Sequence, residues 1–197
     1  MCNRTDVHVN LTCSAQEAQE YPSPSRWLFA VNGRRIFARG GNWVPADMAF
    51  GRIVREKARF RGLLAMARDL GYTYIRIWGG GLIEDQQFYD YADEFGIMLQ
   101  QDFPLAGCGF SQQNASWDWL TQPIATADGE SVLGAFEKQL PVALRQLANH
   151  PSIVRYTLGN ELYQNRTQCP VEKVFEDTLR SLDPTRMTRQ ADPTTVK

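Results

Sequence analysis

The clearest chemistry in this chain sits at the end of one apolar run. Residues 153–161 read Ile-Val-Arg-Tyr-Thr-Leu-Gly-Asn-Glu, a buried strand that delivers Asn160 and Glu161 where it breaks into a polar loop. A glutamate so placed is a candidate general acid, because barrel enzymes build their active sites from residues at the C-terminal ends of strands. A second carboxylate, Asp102, closes the run 97–102 in the same way. Asn42, Trp43 and Asp47 follow the paired glycines Gly40 and Gly41. They offer a ligand two hydrogen-bonding side chains and one flat face, or else they form a turn around a core tryptophan. Trp78 ends a β-branched and aromatic run before Gly79, Gly80 and Gly81, whose bare backbone lets the Trp78 ring or a ligand lie against it. Trp117 and Trp119 belong to the connection 104–130, and loops of such length are usually functional or disordered. Stacking on sugar rings and packing the loop onto the body of the protein account for them equally well.

Positioning these residues takes alternating strands and helices. Residues 27–31 and 35–39 flank Asn32-Gly33, the strongest short hairpin signal, because both central residues of a type I′ turn need positive φ. Phe60, Leu63, Leu64, Ala67 and Leu70 recur at helical spacing and Gly71 stops them; Phe88, Tyr91, Ala92 and Phe95 do the same before Gly96. A third helix over residues 131–149 carries Phe136, Leu140, Ala143, Leu144 and Leu147, and Pro141 is expected to kink it or start a second segment. A fourth, marked by Val171, Val174, Phe175, Leu179 and Leu182, ends at Asp183-Pro184, and residues 187–190 begin one more strand.

The strands 72–78, 97–101 and 153–161 are short and apolar enough to be buried on both faces, which argues for a parallel α/β architecture. A doubly wound sheet would carry a phosphate-cradling G-x-G-x-x-G after its first strand; here the glycine run is different and the next helix opens on Glu84-Asp85, which would repel a phosphate. The expected fold is therefore the N-terminal half of a (β/α)8 TIM barrel, strands one to four and the start of five, since whole barrels run to roughly 250 residues. Residues 1–26 form an irregular segment and residues 27–197 the partial barrel.

Composition narrows the class. With 197 residues, 43% hydrophobic and 22% charged, the chain can bury a sizeable core, and a net charge of −1 argues against nucleic acid or an anionic membrane surface as partner. Met1 to Pro24 lacks a basic-then-apolar pattern, so any targeting segment lies outside these residues. The four cysteines, Cys2, Cys13, Cys108 and Cys169, fit neither a CxxC pair nor a zinc template; a Cys2–Cys13 disulfide and free thiols both remain open. Asn3, Asn10, Asn114 and Asn165 each head an N-x-[ST] sequon, which points to the secretory pathway, lysosomal or extracellular.

Several stretches together resemble glycoside hydrolase family 2, most closely its β-mannosidase-like branch. They are Val31-Asn32-Gly33, the run from Arg39 to Asp47, Arg76-Ile77-Trp78-Gly79-Gly80-Gly81, the run from Phe88 to Met98, Gln101-Asp102-Phe103, and His150-Pro151-Ser152-Ile153 leading to Gly159-Asn160-Glu161. The likeness covers residues 27–195, and the order and spacing of the motifs make it specific.

The resemblance implies an exo-acting glycosidase that retains configuration, acts on terminal β-glycosidic bonds such as β-mannosides, and needs no metal or cofactor. It casts Glu161 as acid/base and Asn160 as hydrogen-bonding the sugar hydroxyl beside the reacting carbon. Asn42, Trp43, Asp47 and Trp78 become lining for the terminal sugar, with Asp102 near the pocket floor. A retaining glycosidase also needs a nucleophilic carboxylate ~5–5.5 Å from the acid. In the family that residue is a Glu from a later strand, so residues 1–197 alone are expected to show little or no turnover. Gln100 stands where β-mannosidase-like sequences typically have Trp, and Tyr156-Thr157-Leu158-Gly159 is closer to the general family pattern, which loosens the sugar assignment. The alternatives are a β-galactosidase, an exo-β-glucosaminidase, or a non-catalytic carbohydrate-binding protein that uses its tryptophans as platforms. Oligomeric state is not legible in the sequence.

Overall fold

Two strands and an open parallel sheet organise the computed structural model, which describes residues 29–31, 33–49, 51–52, 58–106, 129–162 and 170–192. The cysteines, the sequons, Trp117, Trp119 and the N-terminal segment lie outside the described residues. β1 (Phe29–Val31) pairs antiparallel with β2 (Arg34–Ile36), the expected hairpin, and Gly33 takes φ +74° in its turn. The chain then runs β3 (Gly40–Trp43), α1 (Ala58–Asp69), β4 (Tyr74–Ile77), α2 (Gln86–Phe95), β5 (Met98–Asp102), α3 (Val132–Leu147), β6 (Ile153–Asn160), α4 (Pro170–Leu182) and β7 (Met187–Asp192).

All five strands from β3 to β7 are parallel and lie in sequence order, with a helix in each crossover. That order decides between the two α/β architectures, because a doubly wound sheet reverses its strand order at a switch point and a barrel never does. The sheet is a five-stranded arc of a (β/α)8 barrel. Gly96 ends α2 as expected, and the structure adds two side-chain caps. Asp85 caps α2 by accepting from the Gln87 amide at 3.1 Å, and Gly96 closes it in the left-handed region, φ 68°. Ser131 caps α3 by accepting from the Gly134 amide at 3.0 Å. Pro141, however, does not start a second segment: α3 continues through it, with Leu140 before it and Leu144 and Leu147 after it all buried on one face of the helix. Burial of that stripe outweighs the one backbone hydrogen bond that proline removes.

Strand alternation then sorts the side chains into two layers. Ile75, Ile77, Leu99, Tyr156 and Leu158 point out to the helices, where they meet Phe60 and Leu64 of α1, Phe88 and Ala92 of α2, Leu144 of α3, and Val171 and Phe175 of α4. At roughly 1.5–3 kcal/mol per fully buried large apolar side chain, this outer layer is the main source of stability. Tyr74, Arg76, Gln100, Asp102 and Thr157 occupy the other phase and face into the barrel. One irregularity keeps them there: Leu99 pairs with Ile153 but Gln100 with Arg155, so Val154 is an extra residue that shifts β6 into phase with β5.

Candidate active site

Three strands, β4, β5 and β6, converge on one cluster at the C-terminal side of the sheet. Arg76 of β4 donates from Nε and Nη2 to Oδ2 of Asp102, at 3.0 and 2.5 Å, and from Nη2 to Oδ1 of Asn160 at 2.9 Å. The Gly79 amide also donates to Asp102 Oδ2, at 3.3 Å. The ion pair is deep, with side-chain exposures of 14% for Arg76 and 0% for Asp102, so each charge depends on the other to offset its desolvation. With its carbonyl oxygen held by Arg76, the Asn160 side chain keeps its NH2 group as the end able to donate to a ligand hydroxyl.

Backbone contacts fix the last residues of β6 as tightly. The Asn160 amide donates to the Leu105 carbonyl at 2.8 Å, and Ala106 forms a parallel bridge to Asn160. A side chain at Gly159 would collide with that same Leu105 carbonyl, so only glycine allows the segment after β5 to lie this close. Glu161 follows at φ 51°, the only positive φ on a non-glycine residue among the described residues. This left-handed turn swings it out of the strand direction at the moment the strand ends. Such conformations persist in a non-glycine residue only when the surroundings hold them. Among the described residues the partly buried Glu161 carboxylate makes no hydrogen bond or ion pair.

The other predicted residues divide. Asn42 is exposed and pairs in register with Arg76, which puts it on the inner phase of β3. The Trp78 ring folds back over Gly80, where a side chain would strike it, so the glycine loop serves the tryptophan as expected. Asp47 stays at the rim within its own loop, accepting from the Ala49 amide at 2.9 Å and lying 3.4 Å from Arg52 and 3.5 Å from Arg59. The Ala49 N–H and the two arginines hold its pKa below the ordinary carboxylate value. Trp43 is a correction. It registers with Ile77 on the outer phase, packs on Phe60 at 6.3 Å and Phe88 at 4.8 Å, and so belongs to the core and not to a sugar platform.

The structure also brings in residues that the sequence did not assign to the site. Tyr74 and Arg76 alternate with Ile75 and Ile77 on β4, and Arg155 and Thr157 alternate with Tyr156 and Leu158 on β6; that period of two was the signal for a polar barrel interior, and on β5 Gln101 beside Gln100 masks it. Glu84 is a second: its Oε1 accepts from Trp43 Nε1 at 2.8 Å, and burial pushes its pKa up despite that N–H. Among the described residues, no group of three or more His, Cys, Asp or Glu could hold a metal ion, and no helix is long and apolar enough to cross a membrane.

Comparison with known proteins fits this geometry. The family model for the TIM barrel domain of glycosyl hydrolases family 2 matches residues 25–194. The chain belongs to glycoside hydrolase family 2. Within that family it is 35% identical over 151 residues to a β-mannosidase B of Neosartorya fischeri, covering 77% of this chain and 16% of that protein. A β-mannosidase B of Aspergillus oryzae is 34% identical over 177 residues, 87% of this chain and 19% of the relative. Among solved structures, a β-D-mannosidase from Dictyoglomus thermophilum superposes with a TM-score of 0.64 at 30% identity, over 85% of this chain and 20% of that one. An exo-chitosanase from Amycolatopsis orientalis, at 20% identity and a TM-score of 0.59 over 86% of this chain and 18% of that one, shares the fold. These proteins are much longer, and the chain spans about a fifth of their length or less.

Proposed function

We propose that these residues are the first five strands of the catalytic barrel of an exo-acting, retaining β-glycosidase that cleaves terminal β-mannosides. The observation that carries this reading is the Asn160-Glu161 pair at the end of the fourth barrel strand, with Asn160 gripped by Arg76 and Glu161 turned aside at positive φ. Glu161 acts first as the acid that protonates the leaving oxygen and then as the base that activates water. Asn160 donates from its NH2 group to the hydroxyl beside the reacting carbon. The nucleophilic carboxylate comes from a barrel strand outside these residues. In this reading Asn42, Trp78 and Asp47 line the entrance for a terminal sugar, and the buried Arg76–Asp102 pair lies beneath it. Names of two fungal relatives and one solved neighbour support mannose as the sugar. A secretory location is proposed from the sequons at Asn3, Asn10, Asn114 and Asn165, and enzymatic deglycosylation should lower the native mass if they are occupied.

The test is a panel of aryl β-glycosides offered to the full-length protein. Turnover is expected on the mannoside, to be lost in Glu161→Gln, and to be absent from residues 1–197 alone. Preference for the galactoside or glucosaminide would replace the sugar assignment, and no hydrolysis of any substrate would overturn the reading.

A further inference from the structure

Gln100 is buried to 3% exposure on the inner face, and each of its polar atoms is used. Its Oε1 accepts from the Tyr74 hydroxyl at 2.7 Å; its Nε2 donates to Asp102 Oδ1 at 3.0 Å and to Thr157 Oγ1 at 2.9 Å. Asp102 is thereby held on both oxygens, by Gln100 on one and by Arg76 and the Gly79 amide on the other. Arg76 in turn shares Nη2 between Asp102 and Asn160. The hydrogen bonds form one chain: Tyr74 O–H to Gln100, Gln100 N–H to Asp102, Arg76 to Asp102, Arg76 to Asn160.

We propose that Gln100 is a positioning residue for the reaction, acting through Asp102 and Arg76 to fix the Asn160 amide with its NH2 group toward the substrate. The physical case is one of donor direction. An amide is close to symmetric in shape, so nothing but its hydrogen-bond partners decides which end faces the pocket. Asn160 points its oxygen at Arg76 because Arg76 has only donors to offer. Arg76 stays in place because Asp102 is locked, and Asp102 is locked because a neutral donor fills its second oxygen without adding charge. The charged groups nearest Gln100 on this face are Arg76, Asp102 and Arg155, its register partner on β6. A carboxylate at position 100 would repel Asp102, and an aliphatic residue would remove the hydrogen bonds that Asp102 Oδ1, the Tyr74 hydroxyl and Thr157 Oγ1 make with Gln100.

This inference rests on the proposed hydrolase reading, and the experiment separates the two. The kcat and KM of the full-length protein on the aryl β-mannoside are measured for Gln100→Leu, Asn160→Ala and the double variant. Loss of a contact that strengthens in the transition state should lower kcat roughly 100-fold in Asn160→Ala. Gln100→Leu should lower kcat about tenfold with little change in KM, and the double variant should be no slower than Asn160→Ala alone, because both act through one amide. Tyr74→Phe, which removes a single hydrogen bond from Gln100, should move kcat the same way by about two- to threefold and serves where Gln100→Leu folds poorly. Losses that multiply in the double variant, or an unchanged kcat in both Gln100→Leu and Tyr74→Phe, would overturn the inference. If the wild-type protein hydrolyses no glycoside, the functional reading fails, and a crystal structure of Gln100→Leu decides this point: Asp102 and Arg76 displaced from Asn160 support it, an undisturbed cluster refutes it.

Discussion

The two faces of β4, β5 and β6 are built from the same strands and do opposite work. Outward, Ile75, Ile77, Leu99, Phe103, Tyr156 and Leu158 enter an apolar layer in which Phe103 meets Phe175 at 5.4 Å and Tyr156 at 5.9 Å. Inward, Tyr74, Arg76, Gln100, Asp102 and Thr157 exchange hydrogen bonds and one buried ion pair. Burial of carbon is cheap and non-directional, whereas a buried polar network is worth little in net stability and is sensitive to every missing partner. This sheet takes its stability from one side and its orientation of groups from the other. Two glutamates sharpen it. Glu84 is tied to the outward-facing Trp43, while Glu161 stands beside the inward cluster without a hydrogen bond among the described residues.

Changes on the two faces should therefore separate activity from stability. The largest effect is expected from Glu161→Gln, which should slow hydrolysis by roughly 10²–10⁴-fold, as loss of an acid/base group does, while thermal unfolding stays within a degree or two of wild type. A large fall in Tm would mean that Glu161 belongs to the supporting structure. Next, Phe103→Ala should cost about 3–5 kcal/mol by denaturant unfolding, because it empties a site shared by Phe136, Tyr156 and Phe175. A cost under about 1 kcal/mol would break the assignment of stability to the outer face.

Tyr156→Phe is smaller. It removes a hydroxyl that donates to Asp183 at 3.1 Å, and Asp183 keeps Thr185 and Arg186, so about 1 kcal/mol of stability should go and kcat should not change. The smallest effect is expected from Glu84→Gln and depends on pH. Burial raises the folded pKa of Glu84 above its ordinary 4.5, so folding favours the protonated form. Its contribution is fully present below the unfolded value and is lost as pH rises through the folded one. A neutral glutamine that still accepts from Trp43 should therefore match wild type near pH 4 and become the more stable protein by pH 7. Melting curves across that range with a constant difference would show that Glu84 is not the group responsible.

Much of this was legible residue by residue. The hairpin at Asn32-Gly33, the ends of α2 at Asp85 and Gly96, the cap at Ser131, and the stop at Asp183-Pro184 are local signals, and local chemistry set them. At Pro141 the second segment does not form, because the cost of proline is local while the buried stripe of α3 continues on both sides of it. Trp43 misled for another reason. The strand Gly40–Trp43 opens on two glycines, which carry no side chain to reveal the phase of the alternation.

The order of strands and helices, their apolar outer faces, and the delivery of Asn160 and Glu161 at a strand end were readable in the residues alone, because periodicity and capping act over a few residues. Strand pairing was needed to turn Trp43 to the helices, to shift β6 into phase at Val154, and to let Arg76 bridge Asp102 and an asparagine 84 residues away. The physical reason is register. A strand's pattern gives its period, but which inward residue meets which is settled when neighbouring strands pair, and the polar cluster exists only once they have.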